Sequence, residues 1–142
     1  MNIRNIFKHR DRRRILGDFG ERAAARMLKK KGYRILARSY MTDEAEIDLI
    51  CETKDTVVYV EVKTRTQTDA PYIPRPAAAV TPEKQRKILR AARVFRGRGY
   101  VGKQQRFDVV EVYTDGGEPP HILRICHIEG AFTRDTAYPR HS

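Results

Sequence analysis

Apolar residues at a spacing of four positions predict the first helix of the chain. The stripe lies between residues 14 and 31 and consists of Ile15, Phe19, Ala23 and Met27. This spacing is typical of an amphipathic helix that buries one face. Gly32 follows the stripe, where a glycine commonly ends a helix. The sequence therefore predicts a helix over residues 15–31.

Alternation of apolar and polar residues predicts strands after this helix, over residues 33–40, 46–52 and 56–64. The third strand has the clearest pattern, with one face made of Val58, Val60 and Val62 and the other of Val57, Tyr59, Glu61 and Lys63. The second strand is expected to separate Ile47, Leu49 and Cys51 from Glu46, Asp48 and Ile50.

The second half of the chain is predicted to contain a loop, a helix and two strands. Residues 65–80 contain three prolines and predict an irregular surface loop of the kind that often borders a site. Thr81, Pro82 and Glu83 supply a hydroxyl cap, a first-turn proline and an acid, which predict a helix that runs to about Arg96. Strands are expected over 105–113 and 121–128, around a turn at 115–117.

The predicted order is α-β-β-β-α-β-β, which indicates an α/β fold with a mixed β-sheet flanked by helices. The length of 142 residues suits one domain. We divide the chain into a basic N-terminal arm over residues 1–14, expected to be flexible, a single domain over 15–132, and a tail over 133–142.

The charge of the chain points to a polyanionic partner. Its 29 Lys and Arg residues against 18 Asp and Glu residues give a net charge of +11. Residues 1–14 hold six basic residues and only Asp11 as an acid, so they carry +5 of that charge. Such an arm gains affinity for nucleic acid from counterion release, but it reads no sequence by itself. Anionic lipid, the ribosome and an acidic protein are alternative partners, and a solvated tail is the alternative to any of them.

Composition excludes several other classes of protein. No stretch approaches the roughly 20 apolar residues that span a bilayer, and the first residues lack the apolar region of a secretory signal. We therefore expect a cytoplasmic protein that does not enter a membrane. Cys51 and Cys126 form no C-x-x-C pair, and the spacing of His121 and His127 gives no metal motif.

An acidic hairpin carries the candidate chemistry. If Lys54 and Asp55 form a two-residue turn, Asp48 lies opposite Glu61 on one face. Two facing carboxylates repel each other, and a divalent cation such as Mg²⁺, which takes oxygen ligands, would relieve that repulsion. Lys63 lies one strand period beyond Glu61 and can act on a metal-bound water or on a phosphate. The alternative is a solvated ladder of cross-strand ion pairs.

The sequence D-(x)n-E-x-K formed by Asp48, Glu61 and Lys63 resembles the PD-(D/E)xK nuclease core. A wider string between Gly17 and Phe132 resembles the YraN family, small bacterial proteins with a restriction-endonuclease-like fold related to Holliday junction resolvases. That string consists of Gly17, Gly20, Glu21, Ala24, Gly32, Tyr33, the segment 46–50, the segment 60–65, Lys84, Ala91 and the segment 106–110.

The resemblance implies a Mg²⁺- or Mn²⁺-dependent endonuclease that hydrolyses phosphodiester bonds in DNA, including branched or junction DNA. Asp48, Glu61 and the carbonyl of Val62 would hold the metal. Lys63 would act on the attacking water or the phosphate, and Glu21 would add a further acid from the first helix. Resolvase-like enzymes usually work as dimers, so a homodimer is expected. The alternative is a nucleic-acid-binding protein that keeps the fold but has little or no catalytic activity.

Two positions depart from the family pattern. The family usually has glycine where this chain has Ala45, and asparagine where it has Ser39. Because alanine tolerates positive φ poorly, the loop geometry before Glu46 is expected to differ.

Basic side chains define the predicted nucleic-acid surface, with a solvated helix face as its alternative. The surface consists of Arg12, Arg13, Arg14, Lys84, Gln85, Lys87 and Arg90. Asp108 also matches a family position, and the sequence leaves open whether it is a functional acid or a buried, hydrogen-bonded one.

Overall fold

A computed structural model describes the backbone of residues 3–66 and 80–140, and the side chains from residue 11 onward within them. The predicted loop over 65–80 falls mostly outside the described residues. The elements in chain order are α1 (Ile3–Lys30), β1 (Arg34–Met41), β2 (Glu46–Glu52), β3 (Thr56–Thr66), α2 (Pro82–Arg96), β4 (Gln104–Thr114), β5 (Ile122–Phe132) and α3 (Arg134–Ala137).

The five strands form one sheet in the order β1-β2-β3-β4-β5. Neighbouring strands are antiparallel except for β3 and β4, which are parallel and are linked through α2. The predicted α/β fold with a mixed sheet is therefore confirmed, and the short helix α3 is added at its end. None of the described helices is long and apolar enough to cross a bilayer.

Helix α1 begins at Ile3 rather than at Ile15, so the basic N-terminal segment continues the same helix. The predicted apolar stripe is only partly correct, because Ile15 is exposed. The helix is instead buried through small residues and one leucine, namely Gly20, Ala23, Ala24, Ala25 and Leu28. Small side chains let α1 approach the sheet closely. Gly32, with φ +91, ends the helix as predicted.

The sheet separates two apolar cores. On the α1 side, Val58 and Val60 pack with Leu49 and Cys51. On the α2 side, Val57 and Tyr59 pack with the apolar residues of α2, which are Ile88, Ala91, Ala92 and Phe95. The two predicted faces of β3 are thus confirmed.

The predicted alternation of β2 is wrong at Ile47. Ile47 packs with Ile50 on the α2 side, whereas Leu49 lies on the α1 side. The register places Ser39 of β1 opposite Asp48, and Ser39 has φ 49. A residue in the left-handed region re-aims the side chains on either side of it, which accounts for the switch of faces.

The predicted difference in loop geometry before Glu46 stays a prediction, but Ala45 itself has an ordinary backbone conformation. Among the non-glycine residues of the described chain only Ser39 has a positive φ, so Ala45 is not strained. Ala45 instead closes a tight turn, in which the N–H of Thr42 donates to its carbonyl at 2.9 Å.

Candidate functional site

The hairpin of β2 and β3 has the predicted register. Glu52 pairs with Val57 and Leu49 with Val60, as a two-residue turn at Lys54 and Asp55 requires. The backbone pairing stops there, and the side chain of Asp48 takes over, because its Oδ2 accepts the N–H of Val62 at 2.8 Å. The carboxyl group of Asp48 is therefore fixed beside β3.

Glu61 lies next to this position, and two lysines hold it. Its side chain is only 6 % exposed. Lys84 Nζ lies 2.6 Å from Glu61 Oε1, and Lys63 Nζ lies 3.3 Å from the same oxygen. Two ammonium groups thus meet one carboxylate oxygen at the bottom of the site.

The start of α2 explains how Lys84 reaches the carboxylate. Thr81 caps the helix, since its Oγ1 accepts the N–H of Lys84 at 3.2 Å, and Pro82 occupies the first helical turn. Lys84 is therefore held in the first turn, directly above β3. The sequence predicted this helix start and placed Lys84 on the nucleic-acid surface. Its ion pair with Glu61 was missed.

Glu21 joins the site from α1, as the resemblance implied. Its carboxyl group forms a hydrogen bond with that of Asp48. The preceding residue, Gly20, lies against Thr64 of β3, where a Cβ atom would collide with the threonine side chain. This close approach brings Glu21 to the sheet.

The carboxyl groups perturb one another. Burial, followed by the charge of Glu61, raises the pKa of Asp48 to about 7, although the N–H of Val62 opposes the shift. The pKa of Glu21 is raised as well, mainly by burial. For Lys84, burial lowers the pKa, but the hydrogen bond and charge of Glu61 outweigh it and leave the pKa raised. Burial, only partly opposed by hydrogen bonds, therefore disfavours the ionised forms of Asp48 and Glu21.

The site opens into a cleft of about 500 Å³ between the β1–β2 turn and α2. Its described lining is almost entirely polar and consists of Glu44, Ala45, Glu46, Asp48, Glu61, Thr81, Glu83, Lys84 and Lys87. Carboxylates and lysines thus share one solvent-accessible surface, and a charged ligand can enter it.

The donor set of this cleft suits a magnesium-like ion. Among the described residues no three His, Cys, Asp or Glu side chains form a preformed metal cage. Mg²⁺, however, usually binds one or two carboxylates and keeps several waters. The oxygens of Asp48 and Glu61 meet that requirement, and Glu61 already holds a cationic group in this structure. The carbonyl of Val62 stays a predicted ligand.

The predicted nucleic-acid residues lie in different parts of the structure. Lys87 lines the cleft, and Arg90 pairs with Glu44 at its rim at 3.1 Å. Arg12, Arg13 and Arg14 lie on the exposed part of α1, away from the carboxylates, where Arg12 donates to the carbonyl of Gly116 at 2.5 Å.

Gln85 does not belong to that surface. It is buried, its amide donates to the carbonyl of Val80 at 2.8 Å, and its Oε1 accepts from the hydroxyl of Thr136 at 2.7 Å. Gln85 therefore connects α2 to α3 and to Val80, which precedes the cap residue Thr81.

Two acids of β4, Asp108 and Glu111, are buried in the sheet. Asp108 is fully buried and hydrogen-bonded, which settles the question that the sequence left open. Glu111 was missed by the sequence reasoning. It is buried, aligns with Lys63 in the parallel pair, and accepts from Arg65 at 3.0 Å and Tyr113 at 2.8 Å. The signal was an acid flanked by Val110 and Val112 in the apolar part of the strand.

Comparison with known proteins identifies the family. The uncharacterised protein family UPF0102 matches residues 20–112. A UPF0102 protein of Caldanaerobacter subterraneus is 39% identical over 121 residues, which cover 84% of this chain and 96% of that protein. A UPF0102 protein of Caldicellulosiruptor saccharolyticus is 43% identical over 84% of this chain and 98% of its own length. One of Desulfosudis oleivorans is 46% identical over 72% of this chain and 81% of its own length. The resemblance to the YraN family is thus confirmed, and the chain belongs to UPF0102.

Proposed function

We propose that this protein is a Mg²⁺- or Mn²⁺-dependent endonuclease that hydrolyses phosphodiester bonds in DNA, including branched or junction DNA. The observation that supports the proposal is the convergence of Asp48 and Glu61 on a cleft that also contains Lys84. This arrangement places two cation ligands beside groups that attract a phosphate.

Each residue has a distinct task in the proposed reaction. Asp48, Glu61 and the carbonyl of Val62 hold the metal, which when bound polarises the phosphate and lowers the pKa of an attacking water. Glu21 shares a hydrogen bond with Asp48 and thereby orients its carboxyl group. Lys63 offsets the charge that develops on the phosphate.

Lys84 has a double role in this proposal. Its ammonium group takes Glu61 Oε1 at 2.6 Å, so it competes with any cation for that oxygen. With Glu61 holding a cation, Lys84 would be free to contact a phosphate in the cleft. Lys87 and Arg90 extend this basic surface along α2, and Arg12, Arg13 and Arg14 extend it along α1. Because two cuts in a junction need two sites, we expect a homodimer to act on branched DNA.

A cleavage assay tests the proposal. Purified protein is incubated with linear, flapped and four-way-junction DNA in Mg²⁺, in Mn²⁺ and in a chelator. We expect metal-dependent cleavage that falls at least about 100-fold in Asp48→Asn, Glu61→Gln and Lys63→Met. Glu83→Gln is the matched control, because Glu83 lines the same cleft but is exposed and does not contact Glu61. Equal cleavage by Asp48→Asn and the wild type contradicts the assignment.

A second candidate function is nucleic-acid binding without turnover. Groups of the chain itself already contact both acids, Asp48 through the N–H of Val62 and Glu61 through its two lysines. In that case DNA binding falls steeply with salt and is equal in the wild type and Asp48→Asn, and neither metal produces cleavage.

Metal affinity tests the role of Lys84 separately from cleavage. We expect Lys84→Met to bind Mn²⁺ about tenfold more tightly than the wild type in calorimetry, because one competing positive charge is removed. Lys87→Met removes the same charge from the same cleft without touching Glu61, and its affinity should change less than about twofold. Equal affinities in the two variants would remove Lys84 from the metal site.

A further inference from the structure

A second, smaller cavity lies on the other flank of α2, outside the proposed active site. Its volume is about 170 Å³, and it lies between the second half of α2, the start of β4 and α3. Its described lining consists of Leu89, Arg90, Arg93, Arg96, Gln105, Phe107, Arg134 and Tyr138. Arg93 follows Lys84 by nine residues, which places it about 14 Å further along the axis and half a turn around the helix.

The cavity concentrates positive charge. Four of its lining residues are arginines, and none of its described lining residues is acidic. Arg90 is partly neutralised by Glu44. Within the described residues no carboxylate lies within ion-pair distance of Arg93, Arg96 or Arg134. The surrounding segment, residues 84–107, contains nine basic residues and no acid. Arginines that line one small cavity without a counter-charge repel each other, and a bound anion would relieve that repulsion.

An unsatisfied donor lies in the same wall. Gln105 lines the cavity, and its Nε2 is buried without an acceptor among the described residues. A buried donor without a partner costs about 1–3 kcal/mol, so an acceptor supplied by a ligand would be favourable here. Charge and hydrogen bonding thus call for the same chemistry, an anion rich in oxygen.

The volume of the cavity and its arginine lining indicate which kind of anion it can bind. Ligand pockets for larger molecules usually have volumes of roughly 300–1,000 Å³, so this cavity suits a single small group. Arginine is the side chain whose planar fork matches phosphate oxygens. We propose that this cavity binds a phosphate group, supplied either by a nucleic-acid strand or by a free phosphate compound. The proposal does not depend on cleavage at Asp48 and Glu61.

Binding measurements on three variants test the proposal. The probes are pyrophosphate, followed by calorimetry, and a short single-stranded oligonucleotide, followed by fluorescence anisotropy. The double variant Arg93→Ala/Arg134→Ala removes cavity cations from two elements. Arg98→Ala is the matched control, because Arg98 is exposed near the same end of α2, lies over the ring of Tyr40 and does not line the cavity.

Gln105→Glu keeps the size of the side chain and puts a negative charge among the arginines. It should therefore block an anion while leaving the melting temperature unchanged or higher, so that loss of the site is distinguished from unfolding. For at least one probe, we expect affinity to fall at least about tenfold in the double variant and in Gln105→Glu, and by less than about twofold in Arg98→Ala.

The two probes separate the possible sources of the phosphate. A loss confined to the oligonucleotide identifies a strand contact, and a loss that includes pyrophosphate identifies a site for free phosphate compounds. Equal affinity of Gln105→Glu and Arg98→Ala for both probes overturns the proposal. Because cleavage is not measured, an inactive protein would leave this result unaffected.

Discussion

Two aspartates in the same sheet, Asp108 buried and Asp48 part-buried, have opposite electrostatic environments. Asp108 of β4 accepts from Arg106 and His127 at 2.8 Å and from the N–H of Gly130 at 2.9 Å. Burial raises its pKa, but these partners outweigh burial and lower the pKa overall. Asp48 of β2 has the N–H of Val62 as its donor beside two further acids, and its pKa rises to about 7.

The cluster around Asp108 is closed. Lys31 Nζ lies 2.9 Å from His127 Nδ1, and an ammonium group can only donate. His127 Nε2–H therefore donates to Asp108, and Arg106 adds a bidentate ion pair. Every group in this cluster has a partner of the right kind, so we assign it a role in stability.

The cleft around Asp48 is open and poorly neutralised, although the chain as a whole carries +11. Acids with raised pKa values in a cleft are candidates for function, because the fold keeps them at an energetic cost. The difference teaches that the partners of an acid, together with its burial, set the direction of its pKa shift, which is downward for Asp108 and upward for Asp48. Changes at either residue can break this distinction.

The largest effect is expected from Asp108→Asn. The substitution keeps the shape of the side chain but leaves Arg106 without its counter-charge and places an amide next to His127. Breaking a buried ion pair from one side costs about 3–5 kcal/mol of unfolding free energy. Urea denaturation at pH 7 measures it.

Glu129→Gln is the control for that experiment. Glu129 also faces Arg106, at 3.9 Å, but its side chain is 55% exposed. An exposed pair of this kind contributes less than about 1 kcal/mol. The cost of Asp108→Asn should also shrink below the ordinary aspartate pKa, because a lowered pKa stabilises the fold only while the group is ionised. Equal costs for the two variants would show that the cluster is not a structural unit.

Asp48→Asn should have an effect of opposite sign. Since the pKa of Asp48 in the folded protein lies above its ordinary value of 3.8, the fold keeps a proton that the unfolded chain releases between pH 4 and pH 7. The free energy of unfolding therefore falls as the pH rises through this window. Asparagine mimics the protonated form and removes this loss, so the variant should be more stable than the wild type at pH 8 by on the order of 2–4 kcal/mol.

The measurement is a pair of urea denaturation series from pH 4 to pH 8 in a chelator. The curves of wild type and Asp48→Asn should nearly coincide at pH 4 and separate above it. A wild type that gains stability relative to the variant as the pH rises would show that Asp48 is a satisfied acid, like Asp108.

The sequence predicted a large part of this comparison. The two-residue turn at Lys54 and Asp55 gives the register that brings Asp48 to Glu61, and turn geometry is a local property. The start of α2 was equally local, because Thr81 and Pro82 carry the signal themselves. The resemblance to the YraN family supplied Glu21, whose contact with Asp48 joins distant parts of the chain.

What the sequence did not predict depends on contacts between distant elements. Lys84 and Glu61 are 23 residues apart, and only the crossover from β3 through α2 brings them together. Gln85, next to Lys84, is buried because α3 packs on it through Thr136. The face of Ile47 changes where β2 pairs with the positive-φ residue Ser39 of another strand. Alternation along one strand contains none of this information.

Gly20→Ala tests whether the position of α1 maintains the raised pKa of Asp48. A Cβ atom at Gly20 meets Oγ1, Cβ and Cγ2 of Thr64, and its contact with the Thr64 Cβ atom, at 3.0 Å, cannot be relieved by rotating that side chain. We expect a loss of about 1–3 kcal/mol of unfolding free energy. The helix must also move away from β3, which separates Glu21 from Asp48 and lowers the pKa of Asp48. Urea denaturation and carboxyl titration by NMR measure the two effects.

Gly17→Ala is the matched control on the same helix, because no atom lies within 4 Å of its added Cβ. Alanine favours helix over glycine, so this variant should gain up to about 1 kcal/mol and leave the pKa of Asp48 unchanged. A pKa of Asp48 that is the same in both variants would show that Glu21 does not contribute to it.

The smallest effect is expected from Ser39→Asn. Ser39 has φ 49, a conformation that asparagine adopts more readily than serine, so the substitution should add about 0.5 kcal/mol of stability. Ser39→Thr should lose stability, because a β-branched residue fits the left-handed region poorly. Neither change adds charge, so the pKa of Asp48 should stay near 7 in the first variant. If both variants match the wild type in urea, packing of Ile47 under α2, rather than the local preference of residue 39, fixes the backbone opposite Asp48.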